Sequence, residues 1–372
     1  MPVSTSPSAA TEIVCSNCGL PYPPQGAPYR CPRCLAHFDF PRLPGFDPAQ
    51  VDASQPGIWR YRQAFGLPAD APRVTLGEGN TPLLRAEAFG RQVAFKLEFT
   101  NPSGSFKDRG AAPLLSFLKA RGVNAAVEDS SGNAGAAFAA YAAAAGVRAR
   151  VFVPDYAAGP KRKQIEAYGA EVVRILGARQ QTTEAALRAA ADGAIYASHA
   201  YLPHGLAGYA TIAYEIYEQL GAAPGSVLLP VGQGGLLLGV GRGFEALQRG
   251  GLIERLPALA GVQALACAPL WALFQYGSAG LGWVAEGETL AEGVRVQSPL
   301  RGDQALQMVR SSGGTLVAVD EPDILPGQRA LAERGLYVEP TAAIVWKALE
   351  TLSAELPEPI VVILTGSGLK TP

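Results

Sequence analysis

Lys107 lies in the run Asn101-Pro102-Ser103-Gly104-Ser105-Phe106-Lys107-Asp108-Arg109-Gly110, between a strand-like segment and a helix-like one. Ser103, Gly104 and Ser105 are small, so a flat ligand can approach the backbone there. A lysine buried at a helix start is disfavoured as an ammonium, because the helix N-terminus carries partial positive charge and burial removes hydration. Both effects suit a neutral, nucleophilic amine. The plainer alternative is a surface lysine in an amphipathic helix, with Asp108 and Arg109 as a solvated pair. In either case Ser103 or Ser105 is a natural N-cap for the helix.

Three further loops carry chemistry. Ser130-Ser131-Gly132-Asn133-Ala134-Gly135 follows a short strand-like run and begins a helix, where backbone N–H groups can hold an anion. Gly232-Gln233-Gly234-Gly235 has the same placement, and its glycines admit a phosphate close to bare amides. As half of a dinucleotide fingerprint it is weak, since no acidic residue stands about 20 residues further on, after another strand. Leu364-Thr365-Gly366-Ser367-Gly368-Leu369-Lys370 closes the sequence. Any one of these loops alone also reads as an ordinary turn.

Four of the five cysteines form a different pattern. Cys15 and Cys18 make one Cys-x-x-Cys, and Cys31 and Cys34 another, twelve residues later. Four thiolates at this spacing suit a tetrahedral zinc site, structural because no coordination position is left for substrate. A rubredoxin-like iron site and two disulfides are the alternatives. Cys267 stands apart and reads as a buried apolar residue at a strand end.

The elements that must position these residues alternate. Strands are expected at 91–99, 125–128, 148–153, 171–175, 194–196, 226–231, 262–267, 316–319 and 360–364. Helices are expected at 106–121, 134–145, 160–168, 182–192, 208–220, after 235 and at 342–352. Such alternation implies right-handed crossovers and largely parallel sheets. The short apolar runs 227–231 and 360–364 suit strands buried on both faces. The Ala-rich runs at 134–145 and 185–191 suit closely packed helices.

Taken together, Ser-Phe-Lys-Asp-Arg-Gly, Ser-Ser-Gly-Asn, Gly-Gln-Gly-Gly and Thr-Gly-Ser-Gly resemble the motifs of fold-type II pyridoxal 5′-phosphate (PLP) enzymes, most of all threonine synthases. Thr75–Leu83 is similar to the opening loop of that family, and Glu292–Val296 and Val338–Thr341 to later segments near its cofactor. The resemblance implies an α/β fold of the tryptophan synthase β type, with two open domains of largely parallel sheet and a small N-terminal zinc ribbon. Expected boundaries are a disordered leader at 1–10, the ribbon at 11–45, a large PLP domain at 46–109 and 201–372, and a small mobile domain at 110–200. The resemblance makes Lys107 the catalytic, PLP-bearing lysine. It places Phe106, Asn133, Gly232, Gln233, Gly234, Gly235 and Thr365 on the cofactor, Asn133 at the 3′-oxygen and Thr365 at the ring nitrogen. A hydroxyl there leaves that nitrogen largely unprotonated, which suits elimination and replacement more than transamination. Ser130, Ser131, Gly132 and Ala134, with Ser198 and His199, become substrate residues, and Cys15, Cys18, Cys31 and Cys34 the zinc ligands.

The implied reaction is loss of phosphate from O-phosphohomoserine and addition of water to give threonine. The family's polar and Arg residues that bind the substrate phosphate have no arginine counterpart in 198–209, although Ser198, His199, His204 and Arg109 remain as anion ligands. His204 reads better as a hydrogen-bonded loop residue. The alternatives are a serine/threonine dehydratase-like lyase, a cysteate synthase-like β-replacement enzyme, and a non-catalytic ligand-binding paralogue. Composition fits a soluble enzyme: 372 residues, 48% hydrophobic, 17% charged, net charge −1. Nothing in it points to nucleic acid, and no apolar run reaches the roughly 18–20 residues of a membrane span. The expectations are a cytoplasmic homodimer acting on a small amino acid.

Overall fold

The computed structural model describes residues 13–40, 42–156 and 159–371. The leader expected at 1–10 lies outside the described residues. Strands β1 (Val14–Cys15) and β2 (Phe38–Asp39) pair antiparallel beside the cysteines, and six later strands form one sheet in the spatial order Thr315–Val319, Ala258–Ala264, Ser226–Pro230, Ile360–Ile363, Arg91–Lys96, Leu83–Ala88. Its strands are β3 (Leu83–Ala88), β4 (Arg91–Lys96), β8 (Ser226–Pro230), β9 (Ala258–Ala264), β10 (Thr315–Val319) and β11 (Ile360–Ile363). All pair in parallel except β3, which is antiparallel to β4 at the edge. β8 and β11 are buried at every residue, which is why their sequences are apolar without alternation.

A second sheet is parallel throughout: β5 (Ala125–Glu128), β6 (Arg148–Pro154) and β7 (Glu171–Ile175). Helices α1 (Lys107–Ala120), α2 (Asn133–Ala145), α3 (Pro160–Ala167) and α4 (Arg179–Ala191) are interleaved with it along the chain. Then come α5 (His204–Leu220), α6 (Gly235–Arg249), α7 (Pro269–Tyr276), α8 (Gly302–Ser311), α9 (Ile324–Ala332) and α10 (Pro340–Leu352). α2 is almost wholly buried, and its alanines let the neighbouring helices pack close. Among the described residues, no helix is long and apolar enough to cross a membrane.

The register of the large sheet explains the site. β11, the last strand, lies between β8 and β4 and parallel to both. The C-terminal ends of these three strands therefore point the same way. The Lys107 segment, the 232–235 loop and the 364–370 loop leave the sheet side by side, as ligand loops do in open α/β sheets.

Some local expectations change. α5 begins at His204, four residues before Gly208, so His204 is a helical residue and not part of a loop. Gly205 and Gly208 weaken helix propensity, but burial of α5 overrides them. The run 194–196 is no strand beyond one bridge from Tyr196 to Val127. β9 ends at Ala264, and Cys267 closes the 3-10 turn after it. The edge strand β3 and helices α7, α8 and α9 have no counterpart in the sequence reading.

Candidate active site

The loop that delivers Lys107 is built from its own polar residues. Asn101 donates through Nδ2 to Glu98 O (2.8 Å) and Oε2 (2.9 Å), and its Oδ1 accepts from Gly79 N at 2.9 Å. Gly104 takes φ +85°, which only glycine adopts without strain. Neither serine caps α1: the residue before the helix is Phe106, and no side chain closes that end. Ser103 instead gives its N–H (2.6 Å to Oδ2) and its hydroxyl to the Asp108 carboxylate. The closing loop clamps this turn, since Phe106 N donates to Thr365 O at 3.0 Å and Lys370 Nζ to Ser103 O at 2.7 Å.

Asp108 and Arg109 are not a solvated pair, because both are fully buried. Burial pushes the Asp108 carboxyl up to about 7, against the pull of its Ser103 hydrogen bonds. Arg109 donates to Glu98 (2.7 and 2.8 Å), Glu215 (2.7 and 2.8 Å), Thr211 and Thr81. Lys96 Nζ joins this cluster through Glu215 Oε2 at 2.7 Å. Arg109 is saturated, so it is not a substrate anion ligand.

Lys107 is different. Its Nζ lies 4.9 Å from the centre of the Phe106 ring. Burial pushes its amine down to about 8, partly opposed by the charges of Glu128 and Glu339. Glu128, on the same cavity as Lys107, and the neighbouring loops leave buried polar atoms without a protein partner: Glu128 Oε2, Ser105 Oγ, Thr365 Oγ1 and Asn133 Oδ1. Each such atom costs roughly 1–3 kcal/mol if left unsatisfied. Asn133 Nδ2 is held by Glu339 Oε1 at 2.7 Å, and Lys161 pairs with Glu339 Oε2 at 2.8 Å.

The glycine loop completes one side. A side chain at Gly232 would meet Gly293 O at 2.7 Å, and Gly234 has φ +85°, so the backbone there is bare by necessity. Gln233 Oε1 accepts from Leu300 N at 3.0 Å, which ties that side chain to the 300 loop. A planar, phosphate-bearing ligand with a ring nitrogen and a phenolic oxygen matches these donors, acceptors and bare amides. The residues present therefore fit the cofactor that the sequence resemblance implies.

The 130–135 loop turns tightly because Gly135 has no Cβ; one there would lie 1.8 Å from Ser130 O. Ala134 lines a small cavity beside Lys107, with Phe138, Glu128, His199, Gly205 and Tyr209. Ser198 is buried but is not among the residues lining that cavity, and its carbonyl accepts from Leu202 N at 2.9 Å. His199 Nδ1 is 2.7 Å from Glu128 Oε1. His204 is not hydrogen-bonded through Nδ1; its ring stacks on Phe117 at 3.6 Å, and burial lowers its pKa to about 3. Sequence reading missed Glu128, Glu339 as a named residue, Lys161 and Tyr209. For Glu128 a signal was present: the adjacent acids Glu128-Asp129 end a strand and precede a Gly-Asn turn.

The cysteines form a separate, closed cluster. Two knuckles repeat one hydrogen-bond pattern: Cys15 N to Leu20 O with Gly19 N to Cys15 O, and Cys31 N to Ala36 O with Leu35 N to Cys31 O. All four sulfurs lie within 4.8 Å of one another, with Cys15–Cys34 at 3.4 Å and Cys18–Cys31 at 3.6 Å. The thiols are free, so the two-disulfide alternative is not what this arrangement contains. Metal–sulfur bonds of about 2.3 Å in a tetrahedron put sulfurs about 3.8 Å apart, close to this spacing. The segment is riveted to the large sheet's helices by Asp39, which takes both Arg242 nitrogens at 2.7 and 2.8 Å and lies 3.2 Å from Arg301.

A family model described as "Pyridoxal-phosphate dependent enzyme" matches residues 74–366. The chain is 33% identical to a threonine synthase of Methanocaldococcus jannaschii over 328 residues, 85% of this chain and 81% of that protein. It is 36% identical to one of Synechocystis sp. over 85% of this chain and 83% of that protein. It is 30% identical to one of Methanosarcina acetivorans over 97% of this chain and 92% of that protein. The crystal structure of a threonine deaminase from T.th. superposes with a TM-score of 0.66 at 29% identity, covering 77% of this chain and 92% of that one.

Proposed function

This chain belongs to the pyridoxal-phosphate dependent enzymes, in the threonine synthase-like family, and from that premise we propose that it is a lyase in which Lys107 removes the α-proton of a small amino acid. The observation that carries the reading is Lys107 itself: a half-buried, desolvated amine, pushed down to about 8, on loops that leave buried polar atoms without protein partners. Phe106, Asn133, Gly232, Gln233, Gly234, Gly235 and Thr365 would hold the cofactor, with the 232–235 backbone on its phosphate, Asn133 at the 3′-oxygen and Thr365 at the ring nitrogen. Bound PLP supplies the electron sink that lets a Cα–H bond break heterolytically. Ser130, Ser131, Gly132 and Ala134 orient the substrate carboxylate at the start of α2. Lys107, at the start of α1, takes the α-proton, and a substituent on Cβ or Cγ departs.

Similarity to threonine synthases favours O-phosphohomoserine as substrate and threonine as product. The dehydratase-like reading is favoured by the cavity beside Lys107, whose lining residues include no cation other than Lys107. The test is exchange of the α-proton in deuterated water, with holoenzyme and a panel of serine, threonine and O-phosphohomoserine. At least one substrate should exchange, and Lys107→Ala should exchange none. Exchange by neither protein would sink the lyase reading.

We also propose that the four cysteines hold one structural zinc ion, because the set is closed and sulfur-only. Elemental analysis should find one zinc per chain, lost in Cys18→Ser; iron or no metal would overturn this. The family resemblance supports a cytoplasmic homodimer, which sedimentation would test for its stoichiometry.

A further inference from the structure

One pair in the cavity beside Lys107 has no part in the steps above. Glu128 ends β5 and is fully buried. Its Oε1 is 2.7 Å from His199 Nδ1, and its Oε2 is buried with no partner. Both residues line the cavity shared with Lys107, Ala134 and Tyr209. Apolar atoms of Leu114, Leu115, Ala137 and Phe138 make up much of the remaining wall.

The charges around this cavity argue against a phosphate. Lys107 is the only lysine or arginine among its lining residues. Nearby cations are committed elsewhere: Arg109 to Glu98 and Glu215, Arg179 to Asp129 at 3.0 Å, Lys161 to Glu339 at 2.8 Å. A phosphate dianion would enter beside an acid and find, among the described residues lining the cavity, no cation but Lys107. A hydroxyl group suits the same cavity, because it can accept a hydrogen bond from a protonated carboxyl. Hydroxide, unlike phosphate, is a poor leaving group and departs readily only as water.

Resting on the lyase reading above, we propose that Glu128 and His199 form the leaving-group pocket, with Glu128 Oε2 giving its proton to a departing hydroxyl, and that the substrate is a β-hydroxy α-amino acid. The groups facing Glu128 support its holding that proton. Burial, then the adjacent Asp129, push its carboxyl well above the ordinary range, against the opposing charges of Arg179 and Lys107. Burial, Lys107 and Arg179 keep His199 neutral. Tyr209, on the same wall, is pushed upward by burial, so it also stays uncharged.

The step balances. Lys107 takes the Cα proton, and the electron pair of that bond becomes the second Cα–Cβ bond. The Cβ–O bond breaks with its pair on oxygen, which takes the Glu128 proton and leaves as water. Glu128 is left a carboxylate, stabilised by a hydrogen bond from the His199 Nδ1–H. Hydrolysis of the unsaturated amino acid to a 2-oxo acid and ammonia consumes one water, so the net reaction is deamination.

The test uses leaving groups that differ in their need for a proton. Holoenzyme should form 2-oxo acid from serine or threonine faster than it releases phosphate from O-phosphohomoserine. Glu128→Gln should slow serine or threonine turnover about 100-fold or more, the usual scale for a lost general acid. The same variant should keep β-chloroalanine elimination within a few-fold, because chloride departs without a proton. In cofactor-free protein at neutral pH, infrared spectroscopy should find a protonated carboxylic acid band that Glu128→Gln removes. Equal slowing of both substrates, faster phosphate release, or no such band would overturn the proposal. Failure of the wild-type enzyme to eliminate chloride from β-chloroalanine would instead sink the underlying lyase reading.

Discussion

Lys107 and Arg109 are two residues apart on α1 and both basic, the first half-buried and the second fully buried, and their surroundings are opposite. Arg109 is met by two carboxylates and two hydroxyls, so its charge is matched and its donors are used. Lys107 has an aromatic ring, a small cavity and a set of buried polar atoms that lack protein partners. A saturated buried cluster holds structure together, because removing one member strands the others. An unsaturated one is tolerated when a ligand completes it. One helix thus carries a structural charge and the one proposed for the chemistry, and hydrogen-bond satisfaction distinguishes them better than residue type.

The contrast can be broken first by substitution. Lys107→Ala is expected to lower turnover by about four orders of magnitude, the upper end for a proton-transferring group, with little loss of stability in cofactor-free protein. Arg109→Ala should lower unfolding free energy by about 3–5 kcal/mol, because Glu98 and Glu215 would be left buried and uncompensated. Steady-state rates and urea denaturation of both variants check the pair. Equal stability losses would erase the distinction.

A second test is pH. The Lys107 amine is pushed from 10.5 down to about 8. Below that value the folded protein carries a partly desolvated ammonium; above it the amine is neutral while an unfolded lysine still holds its proton. The unfolded chain then binds more protons, so Lys107's contribution makes stability rise with pH between about 8 and 10.5. Covalent capture of pyridoxal phosphate by cofactor-free protein should speed up through the same midpoint. A midpoint near the ordinary lysine value would remove the electrostatic part of the argument.

The smallest effects compare two hydroxyls. Ser116 Oγ accepts from Val74 N at 3.0 Å and donates to Ala112 O at 2.8 Å, whereas Thr365 Oγ1 is buried without a partner. Ser116→Ala should cost about 1–3 kcal/mol by stranding an amide. Thr365→Val should raise the stability of cofactor-free protein by up to about 1–3 kcal/mol, because it removes a buried hydroxyl that has no partner, while weakening cofactor retention. Thermal melts with and without PLP would separate the two.

Much of this was readable along the chain. Glycine, proline and apolar periodicity are local, so most strands and helices around Lys107, Asn133 and the 232–235 glycines could be set within a few residues. The two Cys-x-x-Cys knuckles were equally legible, because metal-ligand spacing is a property of adjacent residues. What failed was where packing outvotes propensity. His204 enters a helix despite two glycines, and Asp108 claims the serine expected to cap α1. The edge strand β3 went unread because its residues carry little alternation and its pairing is with a neighbour in space.

The sequence by itself determined the family and singled out the lysine and the loops proposed for its chemistry, because each is a short run whose residue types have few other uses together. Only the tertiary structure decided what those residues face. β11 had to insert between β4 and β8 before three distant loops could meet. Glu128 and His199 are 71 positions apart, and their 2.7 Å contact exists only because β5 and the segment before α5 converge on one cavity. Likewise Arg109 and Lys107, neighbours in the sequence with similar charge, acquire opposite roles from carboxylates supplied by β4's exit and by α5. Charge pairing and desolvation act across space, and a linear order of residues does not state which side chains will share a buried volume.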